Sequence, residues 1–215
     1  MANILVLTGY TDNMAEVGDR CAASQRAYAE RRGYTHETVR TYHNRTHPSH
    51  QKLEMITERI GSYDGIMWMD ADSYVTGDMD LEPLYYGQQV MDISIDWCAP
   101  MPDDLTTTYL SAGNFIIWRK ERTTKFLHTW ANYSERYAVR DICCWEQDGL
   151  RAAMKDQPWI DGLVRRHPRR TFNAVHHTCV NRSFPISAPM PWEPGDLLMH
   201  LTNVDRLAIL NDLGL

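Results

Sequence analysis

The first 72 residues alternate between strand-like and helix-like segments, and this alternation restricts the fold more than any other feature. Residues 4–7 and 66–69 are apolar runs of strand length, and residues 34–39 fit a further strand between them. Residues 15–32 and 49–60 carry apolar or small side chains at helical spacing, and a glycine follows each segment. This order predicts an α/β domain with a mixed, mainly parallel central sheet flanked by helices, a Rossmann-like architecture.

The second half of the chain is more mixed. Its strand-like and helix-like segments alternate less regularly, with strands expected at 91–97, 115–118 and 197–201 and helices at 120–136, 145–156 and 204–212. The chain has 215 residues and contains no internal repeat, low-complexity stretch or linker. These features predict one domain that spans residues 1–215.

Charge and composition argue against several classes of protein. Hydrophobic residues make up 43% of the chain and charged residues 23%, which is ordinary for a globular protein. The formal net charge of −6 disfavours a nucleic-acid partner. The basic run at 165–170 is either a solvated loop or a contact to phosphates or to an anionic acceptor. No apolar run approaches the roughly 20 residues that span a bilayer, so we expect no membrane-spanning segment.

The cysteine pattern indicates a reducing compartment. The chain has five cysteines, an odd number without a Cys-x-x-Cys pair, at positions 21, 98, 143, 144 and 179. That pattern favours free thiols over a disulfide framework or a zinc ribbon. The N-terminus has no basic segment before its short apolar run and resembles a first strand more than a signal peptide. We therefore expect a soluble, cytoplasmic protein.

Two carboxylates directly follow the strand at 66–69. Because side chains alternate along a strand, Asp70 and Asp72 are expected to point the same way and Ala71 to the opposite face. Ligands of α/β folds bind at the carboxyl ends of strands, and two close carboxylates favour a cation between them. Oxygen ligands suit Mg²⁺ or Mn²⁺, and such an ion can stabilise a departing diphosphate. An Asp-x-Asp pair alone is a weak motif, so its position after an apolar strand carries the argument.

Three further features have both a structural and a chemical interpretation. His200 lies in an apolar strand and is either a hydrogen-bonded core histidine or a third metal ligand. The acidic stretch Glu146-Gln147-Asp148 either caps a helix or supplies a carboxylate to a reacting group. The stretch Ser111-Ala112-Gly113-Asn114 is either a turn or a place where Gly113 lets the backbone approach a ligand closely.

Several segments match one known family in order and spacing. They extend over almost the whole chain, at Arg26–Ala29, Arg32–Tyr34, Lys52, Met67–Asp72, Ser111–Ile117, Phe126–Leu127 with Trp130, Glu146–Asp148, Arg170–Asn173 and Pro194–His200. On these motifs the chain resembles the GT-A glycosyltransferases, and within them glycosyltransferase family 34, the galactosyl- and xylosyltransferase group.

The resemblance implies a GT-A fold and a sugar-transfer reaction. Residues 1–100 would form a nucleotide-binding half and residues 101–215 an acceptor-side half. The expected enzyme is a metal-dependent hexosyl- or pentosyltransferase that uses a nucleotide-diphosphate sugar, with UDP as the default nucleotide. The acceptor would be a glycan or another hydroxyl compound, and the transferred sugar would keep its anomeric configuration. No carboxylate is a compelling nucleophile, which favours a same-face internal-return path.

The resemblance also implies roles for individual residues. Asp70, Asp72 and His200 would hold Mn²⁺ (or Mg²⁺), and Asp70 would also contact the nucleotide. The nucleoside would lie against the end of the first strand, at Thr8, Gly9 and Tyr10.

Further site residues follow from the same match. Gln147 and Asp148 correspond to positions near the donor sugar and the acceptor, and Lys52 to a basic residue near the diphosphate or the sugar. These three are the expected catalytic residues. The loop with Asn203 would contact the diphosphate, and the family usually has glycine at that position.

We expect this chain to lack the N-terminal anchor and stem of the family's eukaryotic members, and its short length is a further departure. A bacterial or viral enzyme, or one domain of a longer protein, fits these departures.

Two other functions remain open on the sequence. A sugar-1-phosphate nucleotidyltransferase also uses an α/β sheet and a metal, but the first turn, at 8–13, has one glycine where a glycine-rich loop is expected. A non-catalytic carbohydrate-binding protein could use the seven tryptophans and eleven tyrosines to stack on sugars, although such aromatics are more often core residues. No G-x-G-x-x-G motif supports a dinucleotide-binding oxidoreductase.

Overall fold

The computed structural model describes residues 2–40, 48–96, 99, 103–138, 145–179 and 191–215. Strands within these ranges are β1 (Ile4–Gly9), β2 (Thr35–Val39), β3 (Gly65–Met69), β4 (Ser73–Val75), β5 (Met91–Ile95), β6 (Leu110–Trp118), β7 (Val164–His167) and β8 (Leu198–His200). The α-helices are α1 (Ala15–Arg32), α2 (Pro48–Arg59), α3 (Thr123–Ala138), α4 (Trp145–Asp156), α5 (Pro158–Asp161), α6 (Arg169–Phe172) and α7 (Arg206–Asp212). Short 3-10 helices lie at Asp12–Met14, Ile60–Ser62 and Glu82–Tyr86.

Six strands form the central sheet in the order β2-β1-β3-β6-β5-β7. The pairs β1–β2, β1–β3 and β5–β7 are parallel, whereas β6 is antiparallel to both β3 and β5. Five of the six strands therefore run in one direction, and the predicted single α/β domain with a mixed, mainly parallel sheet is confirmed. The two remaining described strands, β4 and β8, pair antiparallel in a small second sheet.

The helices cover both faces of the central sheet. Leu5 and Leu7 of β1 belong to a core with α2, α3 and α4, whereas Ile4 and Val6 belong to a core with Tyr28 of α1. This division follows from the period of two in a strand and explains why β1 is buried along its whole length. Helix α1 ends as predicted at residue 33, where glycine adopts a φ of 70° and donates back to the last turn.

The structure corrects one local prediction and shortens another. The predicted turn at Ser111–Asn114 is wrong, because β6 begins at Leu110 and these four residues are buried strand residues. Asn114 pairs with Met69 of β3 and Leu110 with Ile95 of β5, and the register with β5 shifts between Ile93 and Ile95, so the stretch is held in the strand from its two ends. Strand β5 ends at Ile95 rather than at 97, and Trp97 lies outside the described residues.

Two of the five cysteines, Cys21 and Cys179, are buried free thiols. Cys98, Cys143 and Cys144 lie outside the described residues. Among the helices of the described chain, none combines the length and apolar character needed to cross a lipid bilayer.

Candidate metal centre and active site

The three residues predicted to bind a metal meet at the carboxyl end of β3. One ligand atom from each of Asp70, Asp72 and His200 lies within 4.8 Å of the others. Strand β3 ends at Met69, and the two aspartates lie in a turn closed by a 3.0 Å hydrogen bond from the Ser73 N–H to the Asp70 carbonyl. The prediction that strand alternation aims both carboxylates is therefore wrong, because a turn brings them together.

The small β4–β8 sheet brings His200 to this turn. Ser73 lies directly opposite His200 in the ladder, and the Leu201 N–H donates to the Asp72 carbonyl at 2.8 Å. His200 is buried, with Nε2 3.3 Å from Asp72 Oδ1 and Nδ1 2.7 Å from Asn173 Oδ1. With the amide oxygen of Asn173 as acceptor, Nδ1 is the donor, so neutral His200 keeps the Nε2 lone pair for a metal.

Gly113 of β6 leaves the space in which these ligands meet. A Cβ atom on Gly113 would lie 2.7 Å from His200 Cε1 and 3.2 Å from Asp70 Oδ2. The Asp70 N–H also donates to the Gly113 carbonyl at 2.9 Å. Gly113 thus lies in a strand close to two of the expected metal ligands, and its approach to a bound ligand stays a prediction.

Asp72 is held between two positive or potentially positive groups. Arg206 donates to Asp72 Oδ2 from Nε at 2.9 Å and from a terminal nitrogen at 2.8 Å. Burial acts to raise the pKa of the Asp72 carboxyl, but His200 and Arg206 outweigh it and hold that pKa well below its usual range. The sequence reasoning missed Arg206. A cation in the first turn of a helix opposes the helix dipole, and this is the signal that could have identified it.

Asp70 is held from the other side by a buried lysine. Lys52 Nζ donates to Asp70 Oδ1 at 3.0 Å, Glu146 Oε1 at 2.8 Å and the Ala112 carbonyl at 2.9 Å. The Lys52 side chain is only 3% exposed, and these bonds use all three of its donors. Burial would lower the pKa of Lys52, but Asp70 and Glu146 outweigh it and raise that pKa. The structure thus places Lys52 in the interior next to Asp70, with all three N–H groups of its ammonium donating to protein oxygen atoms.

The carboxyl group of Asp70 is less fully neutralised than that of Asp72. Trp68 Nε1 donates to the same Oδ1 at 2.7 Å, and 31% of the Asp70 side chain is exposed. Burial and the nearby charge of Asp72 raise the pKa of Asp70 despite the opposing charge of Lys52. A cation placed between the two aspartates would relieve this cost.

Gln147 and Asp148 lie in the first turn of α4, beside β6. Gln147 Oε1 accepts from the Ala112 N–H at 3.0 Å, one residue from Gly113. Asp148 is partly buried and pairs with Arg151 at 3.1 Å. Burial raises the pKa of Asp148, and the charges of Glu146 and Asp96 add to that shift against Arg151. Asp96 follows β5 at the same edge of the sheet and is a nearby acid that the sequence reasoning missed.

The residues predicted to hold the nucleotide lie at two further places on this edge. Thr8 and Gly9 end β1 and Tyr10 follows it, with its hydroxyl donating to Asp19 at 2.7 Å. Burial, together with that bond, raises the pKa of Tyr10 to about 12. Asn203 has a φ of 55°, the left-handed region where glycine is most at ease and asparagine is a tolerated substitute. The family's usual glycine at this position therefore has a conformational reason.

The basic run at 165–170 is neither a solvated loop nor a free cationic patch. Arg165 pairs with the buried Asp92, and Arg166 with Asp161. Arg169 is buried and donates to the carbonyl oxygens of Asp96 and Ala99. These arginines and Arg170, which pairs with Asp196 and Glu193, bind groups of the protein itself.

The donor set at this centre fits a divalent cation. Two carboxylates and one imidazole suit Mn²⁺ and, with more oxygen ligands from substrate or water, Mg²⁺. The three side chains already converge, Gly113 leaves room, and the partly exposed Asp70 gives the group an open side.

Several solved structures similar to this chain are glycosyltransferases. The chain is similar to a glycosyltransferase involved in the glycosylation of the major capsid of PBCV-1, with a TM-score of 0.69, 13% identity and coverage of 99% of this chain and 98% of that chain. It is similar to the galactosyltransferase LgtC in complex with donor and acceptor sugar analogues, with a TM-score of 0.57, 14% identity and coverage of 92% and 87%. It is also similar to the glycosyltransferase GlyE in Streptococcus pneumoniae TIGR4, with a TM-score of 0.53 and 13% identity. That match covers 79% of this chain and 46% of that chain.

At these identities the likeness defines the fold, which is that of the GT-A glycosyltransferases. The predicted GT-A fold is thereby confirmed, and the narrower resemblance to family 34 stays a prediction from the sequence motifs. No protein-family model matches the chain, and no curated protein sequence does.

Proposed function

We propose that this protein is a metal-dependent glycosyltransferase that moves a sugar from a nucleotide-diphosphate donor to a hydroxyl group of a glycan or another acceptor. The observation that carries the proposal is the convergence of Asp70, Asp72 and His200 at the carboxyl end of a GT-A sheet. Ligands of such folds bind at this edge. The similarity to LgtC, solved with donor and acceptor sugar analogues, supports the same use of the fold.

Asp70, Asp72 and His200 would hold Mn²⁺ or Mg²⁺. When bound, such an ion supplies positive charge that stabilises the diphosphate as a leaving group. Lys52 fixes the orientation of Asp70 through a buried hydrogen bond, and Asn173 fixes the ring of His200. Arg206, whose side chain is 34% exposed, adds a cation beside Asp72 that can contact a phosphate oxygen.

Asp148 is the residue we assign to the sugar and acceptor side. A carboxyl group with a raised pKa beside Glu146 and Asp96 can accept or share the proton of an acceptor hydroxyl. The amide of Gln147, anchored on the Ala112 N–H, would contact the transferred sugar from the same helix turn. We propose retention of anomeric configuration on the family resemblance, with hexose or pentose donors as the substrate class.

The nucleoside would lie against Thr8, Gly9 and Tyr10, and the diphosphate against the loop that contains Asn203. UDP is the proposed nucleotide, again from the resemblance. This arrangement assigns residues 1–100 to nucleotide binding and residues 101–215 mainly to the acceptor. The free thiols of Cys21 and Cys179 fit the proposed cytoplasmic location.

Calorimetric titration tests the proposal directly. UDP and GDP are titrated into the protein with Mn²⁺ and, separately, with EDTA. We expect one nucleotide, UDP, to bind only with metal, and its sugar conjugates then to be hydrolysed or transferred. Binding of neither nucleotide to folded protein would contradict the donor site. Metal-independent sugar binding without turnover would favour a carbohydrate-binding protein, and release of pyrophosphate from UTP and a sugar 1-phosphate would favour a nucleotidyltransferase.

A further inference from the structure

The turn that carries Asp70 and Asp72 rests on one buried side chain of α1. Gln25 is fully buried, and its Nε2 donates to the Ser73 carbonyl at 2.9 Å and to the Asp70 carbonyl at 3.3 Å. These carbonyls belong to the first and last residues of the turn. A carboxamide has two N–H donors, so this one group ties both ends of the turn to the helix.

The orientation of the Gln25 amide is fixed by its surroundings. If the amide were rotated by half a turn, its oxygen would face two carbonyl oxygens, and no hydrogen bond could form. In the observed orientation Gln25 Oε1 is buried and has no hydrogen-bond partner among the described residues. Leaving a buried acceptor unpaired opposes stability. An apolar side chain would avoid that cost but would also remove the donor to the two carbonyls of the turn.

The neighbouring residues of α1 add to the same contact. Ser24 Oγ accepts from the Val75 N–H at 3.0 Å, just beyond the turn in β4. Burial raises the pKa of the thiol of Cys21, which lies one helical turn before Gln25, and the nearby charge of Asp72 adds to that shift. One face of α1 therefore follows the chain from residue 70 to residue 75.

We propose that Gln25 is a positioning residue for the metal centre, which holds the Asp70–Asp72 turn in the geometry that metal binding requires. The inference rests on the proposed function, because it assumes that these aspartates bind a metal. Two carboxylates one residue apart repel each other before a cation enters. Lys52 and Arg206 hold the carboxylate groups, and the backbone of the turn sets the positions from which the two side chains start. Without Gln25 the turn can relax, and the carboxylates must then be brought back together when the ion binds.

The test is the affinity of the purified protein for Mn²⁺ without nucleotide, measured from the electron paramagnetic resonance signal of free Mn²⁺. Gln25→Met keeps the length and helical preference of the side chain but removes both donors. Gln25→Glu keeps the shape and places a carboxylate against two carbonyl oxygens. We expect both variants to bind Mn²⁺ about 10- to 100-fold more weakly than the wild type, the usual effect of losing support behind a metal ligand.

Tyr28→Phe is the matched control. Tyr28 lies on the same helix, is buried, and donates from its hydroxyl to a loop carbonyl, that of Met79, at 2.8 Å. Its loss should lower the urea midpoint while leaving the Mn²⁺ affinity unchanged. Urea titration also shows which of the two Gln25 variants is folded, and one folded variant is enough for the affinity test.

Wild-type Mn²⁺ affinity in a folded Gln25 variant would overturn the inference and leave the proposed function standing. An equal loss of affinity in Tyr28→Phe would also overturn it, because the effect would then follow general loosening of α1. Failure of the wild-type protein to bind Mn²⁺ would instead remove the proposed metal site itself, and the inference with it.

Discussion

Replacing Gly113 with alanine should weaken metal binding through a steric effect that the structure allows to be estimated. The added Cβ would lie 2.7 Å from His200 Cε1, whereas ordinary contact begins at 3.4 Å. The imidazole would therefore have to retreat by about 0.7 Å, several times the roughly 0.2 Å tolerance of metal–ligand distances. Retreat is resisted because His200 is buried and hydrogen-bonded to Asn173.

The expected effect of Gly113→Ala has two parts. Overpacking of a close-packed site costs about 1–3 kcal/mol in the free energy of unfolding. Displacement of one ligand should also lower the Mn²⁺ affinity by at least the roughly 10- to 100-fold seen when support behind a ligand is lost. That loss corresponds to about 1.4–2.8 kcal/mol of binding free energy.

Gly65→Ala provides the matched control for Gly113→Ala. Its Cβ would lie 2.3 Å from the buried Trp118 ring at the opposite end of β3 from Asp70. It should lower the urea midpoint without changing the Mn²⁺ affinity of the folded fraction, measured by the same resonance titration. Unchanged Mn²⁺ affinity in Gly113→Ala would refute the steric reasoning, and so would an equal loss in Gly65→Ala.

Three further predictions concern the charges of the site. Asp72→Asn keeps the shape of the side chain but removes its charge, so Mn²⁺-dependent nucleotide binding should be lost in calorimetry while circular dichroism stays unchanged; retained binding would contradict the assignment. Burial acts to lower the pKa of His200, but Asp72 outweighs it and raises that pKa. The metal-free protein should therefore lose stability in urea as pH rises from about 6.5 through the raised pKa, while its Mn²⁺ affinity rises over the same interval. If stability and Mn²⁺ affinity changed in the same direction with pH, the result would argue against this assignment. Lys52→Met leaves Asp70 and Glu146 buried without their cation and should lower the free energy of unfolding by about 3–5 kcal/mol. Adding Glu146→Gln should recover part of that loss, and a loss below about 1 kcal/mol would contradict the buried network.

The sequence predicted the regular elements of the first half because their signals are local. The apolar run of β1, the helical spacing of α1 and the stop at Gly33 each lie within a few residues of the element they define. The start of β6 was missed for the opposite reason. Serine, glycine and asparagine at 111–114 favour turns, and pairing at the two ends of the stretch, Leu110 with β5 and Asn114 with β3, makes them part of a strand.

The metal centre shows the same division between local and distant information. Asp70 and Asp72 are recognisable because they follow an apolar run, and His200 because it interrupts one. Their supporting residues are 18 to 134 positions away, as in the pairs Asp70–Lys52, His200–Asn173 and Asp72–Arg206, and no local pattern shows which ligand each of these residues contacts. Such pairs become visible only once the sheet and its crossovers bring distant segments together.

The two cations beside the aspartates differ in how readily they can be displaced. Lys52 is 3% exposed and donates to three oxygen atoms. Moving it would leave Glu146 and the Ala112 carbonyl buried without this donor. Arg206 is 34% exposed, and its guanidinium can be rehydrated when it leaves Asp72. Because an entering divalent ion must compete for Asp72 oxygen atoms, we expect it to displace Arg206 and to leave Lys52 in place. The released guanidinium would then lie beside the bound ion, where a diphosphate is the group that both positive charges can share.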